Sequence, residues 1–106
     1  LGLSVSLSAC AQQVDASTAT AIIDVRTATE FASGHLEGAV NMDVQSSAFA
    51  SEIATLDPAG VYLIYCHSGR RAGLAIDQMK AVGFKNLTNL GGYADASNAT
   101  GLPLVQ

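Results

Sequence analysis

Cys66 is followed directly by His67, Ser68, Gly69, Arg70 and Arg71, so a thiol, a hydroxyl, a glycine and two guanidiniums fall within six consecutive residues. The thiolate is the reactive form of cysteine, and cations or a helix N-terminus beside it favour that form. Gly69 permits a backbone conformation or a close approach that a side chain would block. Ser68 and His67 can each donate a hydrogen bond to an anion, His67 as a partly exposed loop residue without proton-transfer duty. The run suits nucleophilic attack by Cys66 on an anionic substrate held by residues 67–71. No Cys-x-x-Cys is present, and two cysteines and two histidines at these spacings form no recognisable zinc site.

The elements around this run must place the thiol at the carboxyl end of a strand. Val61 to Tyr65 is apolar on both faces, as a central parallel strand should be, and Cys66 sits at its exit. Ala72, Ala75, Ile76, Met79 and Val82 recur at three and four residues and predict an amphipathic helix ending at Gly83. Asn86 to Leu90 predicts a further strand, which completes a βαβ unit before Gly91 and Gly92 turn the chain away. Upstream, Ala21 to Val25 reads as a buried strand, Thr29 as the cap of one helical turn ended by Gly34, and Ala39 to Met42 as a brief strand. Phe49, Ile53 and Leu56 mark one face of a helix over 46–56, closed by Asp57-Pro58-Ala59-Gly60. Alternating strands and helices predict an α/β fold, a central parallel sheet with helices on both faces. Ligands of such sheets bind beyond the carboxyl ends of the strands, where free backbone N–H groups can converge on the sulfur. Asp24 and Arg26, two apart on an extended strand, share a side and can pair or brace the site.

A chain of 106 residues is most simply one domain. A formal charge of −4, with Arg70-Arg71 the only basic cluster, argues against nucleic acid and against an anionic membrane surface. Leu1 to Ala9 is uncharged and apolar or small, similar to the end of a secretory signal peptide. Leu7-Ser8-Ala9-Cys10 resembles the lipobox of bacterial lipoproteins, which would make Cys10 a lipid anchor and place the protein in the periplasm or cell envelope. Residues 11–20 read as a flexible tether, and residues 21–106 as the catalytic domain.

The segment YCHSGRRA at Tyr65 to Ala72 resembles the active-site segment of single-domain rhodaneses, the thiosulfate sulfurtransferases. Asp24-Val25-Arg26 with Glu30-Phe31, Gly34 to Asn41, and Asn89 to Gly92 resemble that family's other motifs in the same order. The short ends and the leader are similar to the small periplasmic members of the phage-shock type. The resemblance implies a rhodanese-like fold, a Cys66 persulfide loaded from thiosulfate, Arg71 on the sulfonate, a cyanide or thiol acceptor, no cofactor, and a monomer. Two departures stand out: the family's usual Trp after Gly-Gly is absent, and Ala72 replaces a common Ser. A Cys-based phosphatase or arsenate reductase would need five residues between Cys and Arg, whereas four separate Cys66 from Arg71. A non-catalytic rhodanese-like binding or thiol-sensing module is the other alternative.

Overall fold

The computed structural model describes residues 13–106. Its centre is a four-stranded parallel sheet of β1 (Ala21–Asp24), β3 (Val40–Asn41), β4 (Val61–Cys66) and β5 (Asn86–Gly92), in the order β3-β1-β4-β5. A two-stranded antiparallel ribbon joins β2 (His35–Leu36) to β6 (Leu104–Val105). The helices are α1 (Ala28–Ser33), α2 (Phe49–Ile53), α3 (Arg70–Ala81) and α4 (Tyr93–Thr100).

The period of two along each strand divides the core. Ile23 and Val25 of the first strand region, with Tyr62, Ile64 and Cys66 of β4, pack against Phe49 and Ile53 of α2 and Ala72, Ala75, Ile76 and Met79 of α3. Ile22, Leu63 and Tyr65 face the opposite way, against Leu36, Leu90 and Ala96 of α4. Helices therefore cover both faces, as the alternating sequence pattern predicts.

Several elements differ from the expected ones. Helix α1 begins at Ala28 and is capped by Thr27 rather than Thr29, because Thr27 and Glu30 form a reciprocal capping box. Helix α2 spans only Phe49–Ile53, although Leu56 still packs against the core. Gly91 and Gly92 extend β5 through a register shift beside Ile64 and Tyr65, and the chain then enters α4, an element the pattern did not reveal. Only Ala96 of that helix is buried, so it carries no apolar stripe to read. Within the stretch expected to be a tether, Val14 N–H donates to Ala99 O, and Val14, Ala16 and Ala19 pack on the α4 side of the core. At the C-terminal end Leu104 pairs with Leu36, and Leu102 packs on the α4 side of the core.

Candidate active site

The strand order reverses between β1 and β4, since the chain leaves β1 for a neighbour on one side and returns to pair on the other. Such a reversal opens a crevice at the carboxyl ends of the two strands. Cys66 is the last residue of β4, and Asp24 is the last of β1.

Past Cys66 the chain passes from strand to helix in three residues. Gly69 makes this possible with a left-handed backbone at φ 98°, and its N–H donates to Cys66 Sγ at 2.8 Å. A Cβ on Gly69 would also stand 3.3 Å from Gly91 Cα, so the loop and β5 approach more closely than a larger residue would permit. Gly92 is tighter still, for a Cβ there would overlap the carbonyl oxygen of His67. Asn89 completes the clamp: its side-chain amide donates to Gly69 O at 3.1 Å while its carbonyl accepts from Gly91 N–H at 2.8 Å. Among the described residues, the Gly69 amide is the hydrogen-bond donor that reaches the sulfur, in place of the expected ring of several. The opening turn of α3 nonetheless brings further N–H groups without helical partners to this end of the sheet. Cys66 is a free cysteine with no solvent exposure.

The two arginines part company. Arg71 donates from both terminal nitrogens to Glu30, at 2.8 and 3.0 Å. The Arg71 hydrogen bonds pull the Glu30 carboxyl down to about 2, assisted by Thr27 against the opposing effect of burial. Arg71 is reciprocally held in its charged form, first by Glu30, with the charges of Cys66 and Asp43 adding smaller contributions. Arg70 is exposed and has no ion-pair partner among the described residues. With Ser68, Arg71, Gln45 and Leu74 it lines an open pocket of about 340 Å³ beside the loop. His67 is exposed on the other flank, its ring tilted against Tyr93 at 5.7 Å.

Asp24 and Arg26 pair as their spacing suggests, through a contact of 2.7 Å and two further hydrogen bonds from Arg26 Nε. Both are buried. By strand parity they lie with Ile22 and Tyr65, on the face of the sheet away from the thiol. Arg26 also donates to Gly34 O and stacks its guanidinium over the Tyr93 ring at 4.8 Å. Asp24 keeps it charged in spite of burial. The pair thus supports Tyr93, and through it His67, from behind. Cys10 lies outside the described residues.

Glu30, Asn89, Gly92 and Tyr93 were not recognisable as contributors to this site from spacing alone. Glu30 carried two signals, its place in a family-like motif with Asp24-Val25-Arg26 and a carboxylate three residues after Thr27 that points to a cap, and neither reveals a cation 41 residues away.

Comparison with known proteins agrees with this geometry. The family described as Rhodanese-like domain matches residues 6–99. The chain is 37% identical over 87 residues to YrkF of Bacillus subtilis (strain 168), named as a candidate sulfur carrier protein, covering 81% of this chain but 45% of that one. It is 29% identical over 73 residues to the thiosulfate sulfurtransferase PspE of Escherichia coli (strain K12), covering 69% and 70% of the two chains. The chain thus spans less than half the length of the Bacillus relative. Among solved structures, a rhodanese with anions from E. coli superposes with a TM-score of 0.66 at 26% identity, over 81% of this chain and 96% of the other. The Rhodanese_3-like domain of the Anabaena protein Alr3790 shares the fold at a TM-score of 0.71 and 23% identity, over 81% and 98%.

Proposed function

Because the chain belongs to the rhodanese-like family and has sulfurtransferase relatives, we propose that it moves sulfane sulfur from thiosulfate, or from another persulfide donor, to cyanide or a thiol through a persulfide on Cys66. The observation that carries this reading is the Gly69 N–H donating to Cys66 Sγ at 2.8 Å, at the N-terminus of a twelve-residue helix. An amide and a helix terminus aimed at a sulfur stabilise negative charge there. In the first half-reaction the Cys66 thiolate attacks the outer sulfur of thiosulfate; the S–S bond of the donor breaks and sulfite leaves with its electron pair. In the second, the acceptor attacks the terminal sulfur of the persulfide, the bond to Sγ breaks, and the thiolate returns. The result is a double displacement that uses no cofactor.

A delivery role, in which the persulfide passes to one chosen partner, is the second reading. The full burial of Cys66 favours it, since a sealed thiol reacts when its loop parts. Similarity to a candidate sulfur carrier points the same way. A phosphatase role is disfavoured by Glu30, which already occupies both terminal nitrogens of Arg71. A cell-envelope location with lipid on Cys10 belongs to the proposal on its lipobox resemblance alone, and incorporation of labelled fatty acid that disappears in Cys10→Ala cells would support it.

The test of the principal reading is intact mass. Thiosulfate should add one sulfur atom, removable by cyanide, and Cys66→Ala should add none. Turnover of an aryl phosphate or arsenate in place of sulfur uptake would overturn the reading.

A further inference from the structure

Asn89 stands outside the loop that follows Cys66, yet it reaches that loop from the neighbouring strand. It pairs with Ile64 across the sheet, so its side chain lies on the face that Ile64 and Cys66 share. Directly after it β5 bulges: Ile64 is paired with Asn89 and Tyr65 with Gly91, which leaves Leu90 as an extra residue. Bulges beside active sites re-aim side chains, and here the Asn89 amide meets the backbone of Gly69.

Asn89 holds both sides of that approach. Its Oδ1 accepts from Gly91 N–H at 2.8 Å, and its Nδ2 donates to Gly69 O at 3.1 Å. Gly69 O also accepts from Gly73 N–H at 3.1 Å, in the first turn of α3. With its carbonyl held at two points, Gly69 presents its own N–H to Cys66 Sγ at 2.8 Å. Asn89 is exposed, so water can take over its hydrogen bonds when the side chain is removed. What water cannot restore is the direction of the Gly69 amide.

We propose that Asn89 is a positioning residue for sulfur release: by holding Gly69 O it aims Gly69 N–H at Sγ, where negative charge appears as the persulfide breaks. This rests on the sulfurtransferase reading of Cys66. The two half-reactions use that amide differently. In uptake the Cys66 thiolate attacks the outer sulfur of thiosulfate, and charge moves off Sγ to the departing sulfite. In release the acceptor attacks the terminal sulfur, the bond to Sγ breaks, and the electron pair collects on Sγ. A donor aimed at Sγ therefore favours the transition state of release over its ground state, and does not favour that of uptake.

Asn89→Ala, with thiosulfate as donor and cyanide as acceptor, separates the two. In a double displacement, kcat/KM for each substrate reports its own half-reaction. Both are measured at about pH 9.5, a unit above the ordinary thiol value, so that transition states rather than ionisation are compared. Deleting an oxyanion-hole donor outright costs about a hundredfold or more, and a donor that is only turned costs less. The value for cyanide should fall about tenfold, while that for thiosulfate falls by no more than about twofold and the melting temperature moves by only a few degrees. Equal losses in both halves, a loss confined to uptake, or no loss in either overturns the assignment to Asn89 and leaves the sulfurtransferase reading standing. Wild-type protein that takes up no sulfur from either thiosulfate or polysulfide overturns both.

Discussion

The carboxylate of Glu30 grips both terminal nitrogens of Arg71, joining the first turn of α1 to the first turn of α3 across 41 residues of sequence. One oxygen of the same carboxylate also accepts from Thr27 N–H and Thr27 Oγ1, so the helix cap and the active-site loop share an anion.

That sharing gives a pH signature. The folded Glu30 value of about 2 lies below the ordinary value of 4.5. Its stabilisation is therefore complete above about 4.5 and is lost as pH falls from there towards 2. Glu30→Gln should lower stability at neutral pH by about 1 kcal/mol, as suits a partly exposed pair. Thermal unfolding followed from neutral pH to pH 2 should show the wild type converging on the variant below 4.5; parallel curves throughout would exclude the mechanism.

The Asp24–Arg26 pair should behave differently, because both partners are buried. Removing either leaves an uncompensated charge in the core, at a cost of about 3–5 kcal/mol. Arg26→Met and Asp24→Ala should each show this in urea unfolding, and the double variant should lose less than the sum of the two. Strict additivity would mean that the pair is not coupled.

Gly92→Ala tests how closely β5 must approach the loop. The added Cβ would overlap His67 O, so the loop that aims Gly69 N–H at Cys66 has to move. A displacement of about 1 Å in a reacting group can cost on the order of a hundredfold in rate. The variant should therefore lose about that much in kcat/KM for sulfur transfer. Gly83→Ala is the control: Gly83 has φ 104° but open space around its Cβ position, at the far end of α3. It should cost about 1 kcal/mol of stability and leave kcat/KM within about twofold.

Cys66→Ser removes the proposed nucleophile with little change in volume. Sulfur uptake should vanish while the melting temperature shifts by only a few degrees, since Cys66 packs as a small residue in an otherwise intact core. Persulfide formation that survives in this variant would point to another group as the sulfur carrier.

Much of the architecture was already visible in the amino-acid order. Strand β4 announces itself as an unbroken apolar run and helix α3 by apolar residues at the period of 3.6. The run from Cys66 to Arg71 then had to lie where a strand ends and a helix begins, so the candidate nucleophile was legible as well. Asp24 and Arg26 were readable as a pair, because a separation of two places them on one side of an extended segment.

Local periodicity is silent on contacts made by folding. Parity of the paired strands decided that Asp24 and Arg26 stand on the face of the sheet away from the thiol, behind Tyr93. The docking of α1 on the loop decided which of two adjacent arginines is spoken for, although both line the pocket. Helix α4 escaped notice because it buries a single alanine, and the tight packing at Gly92 because it is set by a carbonyl oxygen 25 residues earlier. Chemistry resides in the residue types, whereas the direction in which each group is presented depends on packing between segments far apart in the chain.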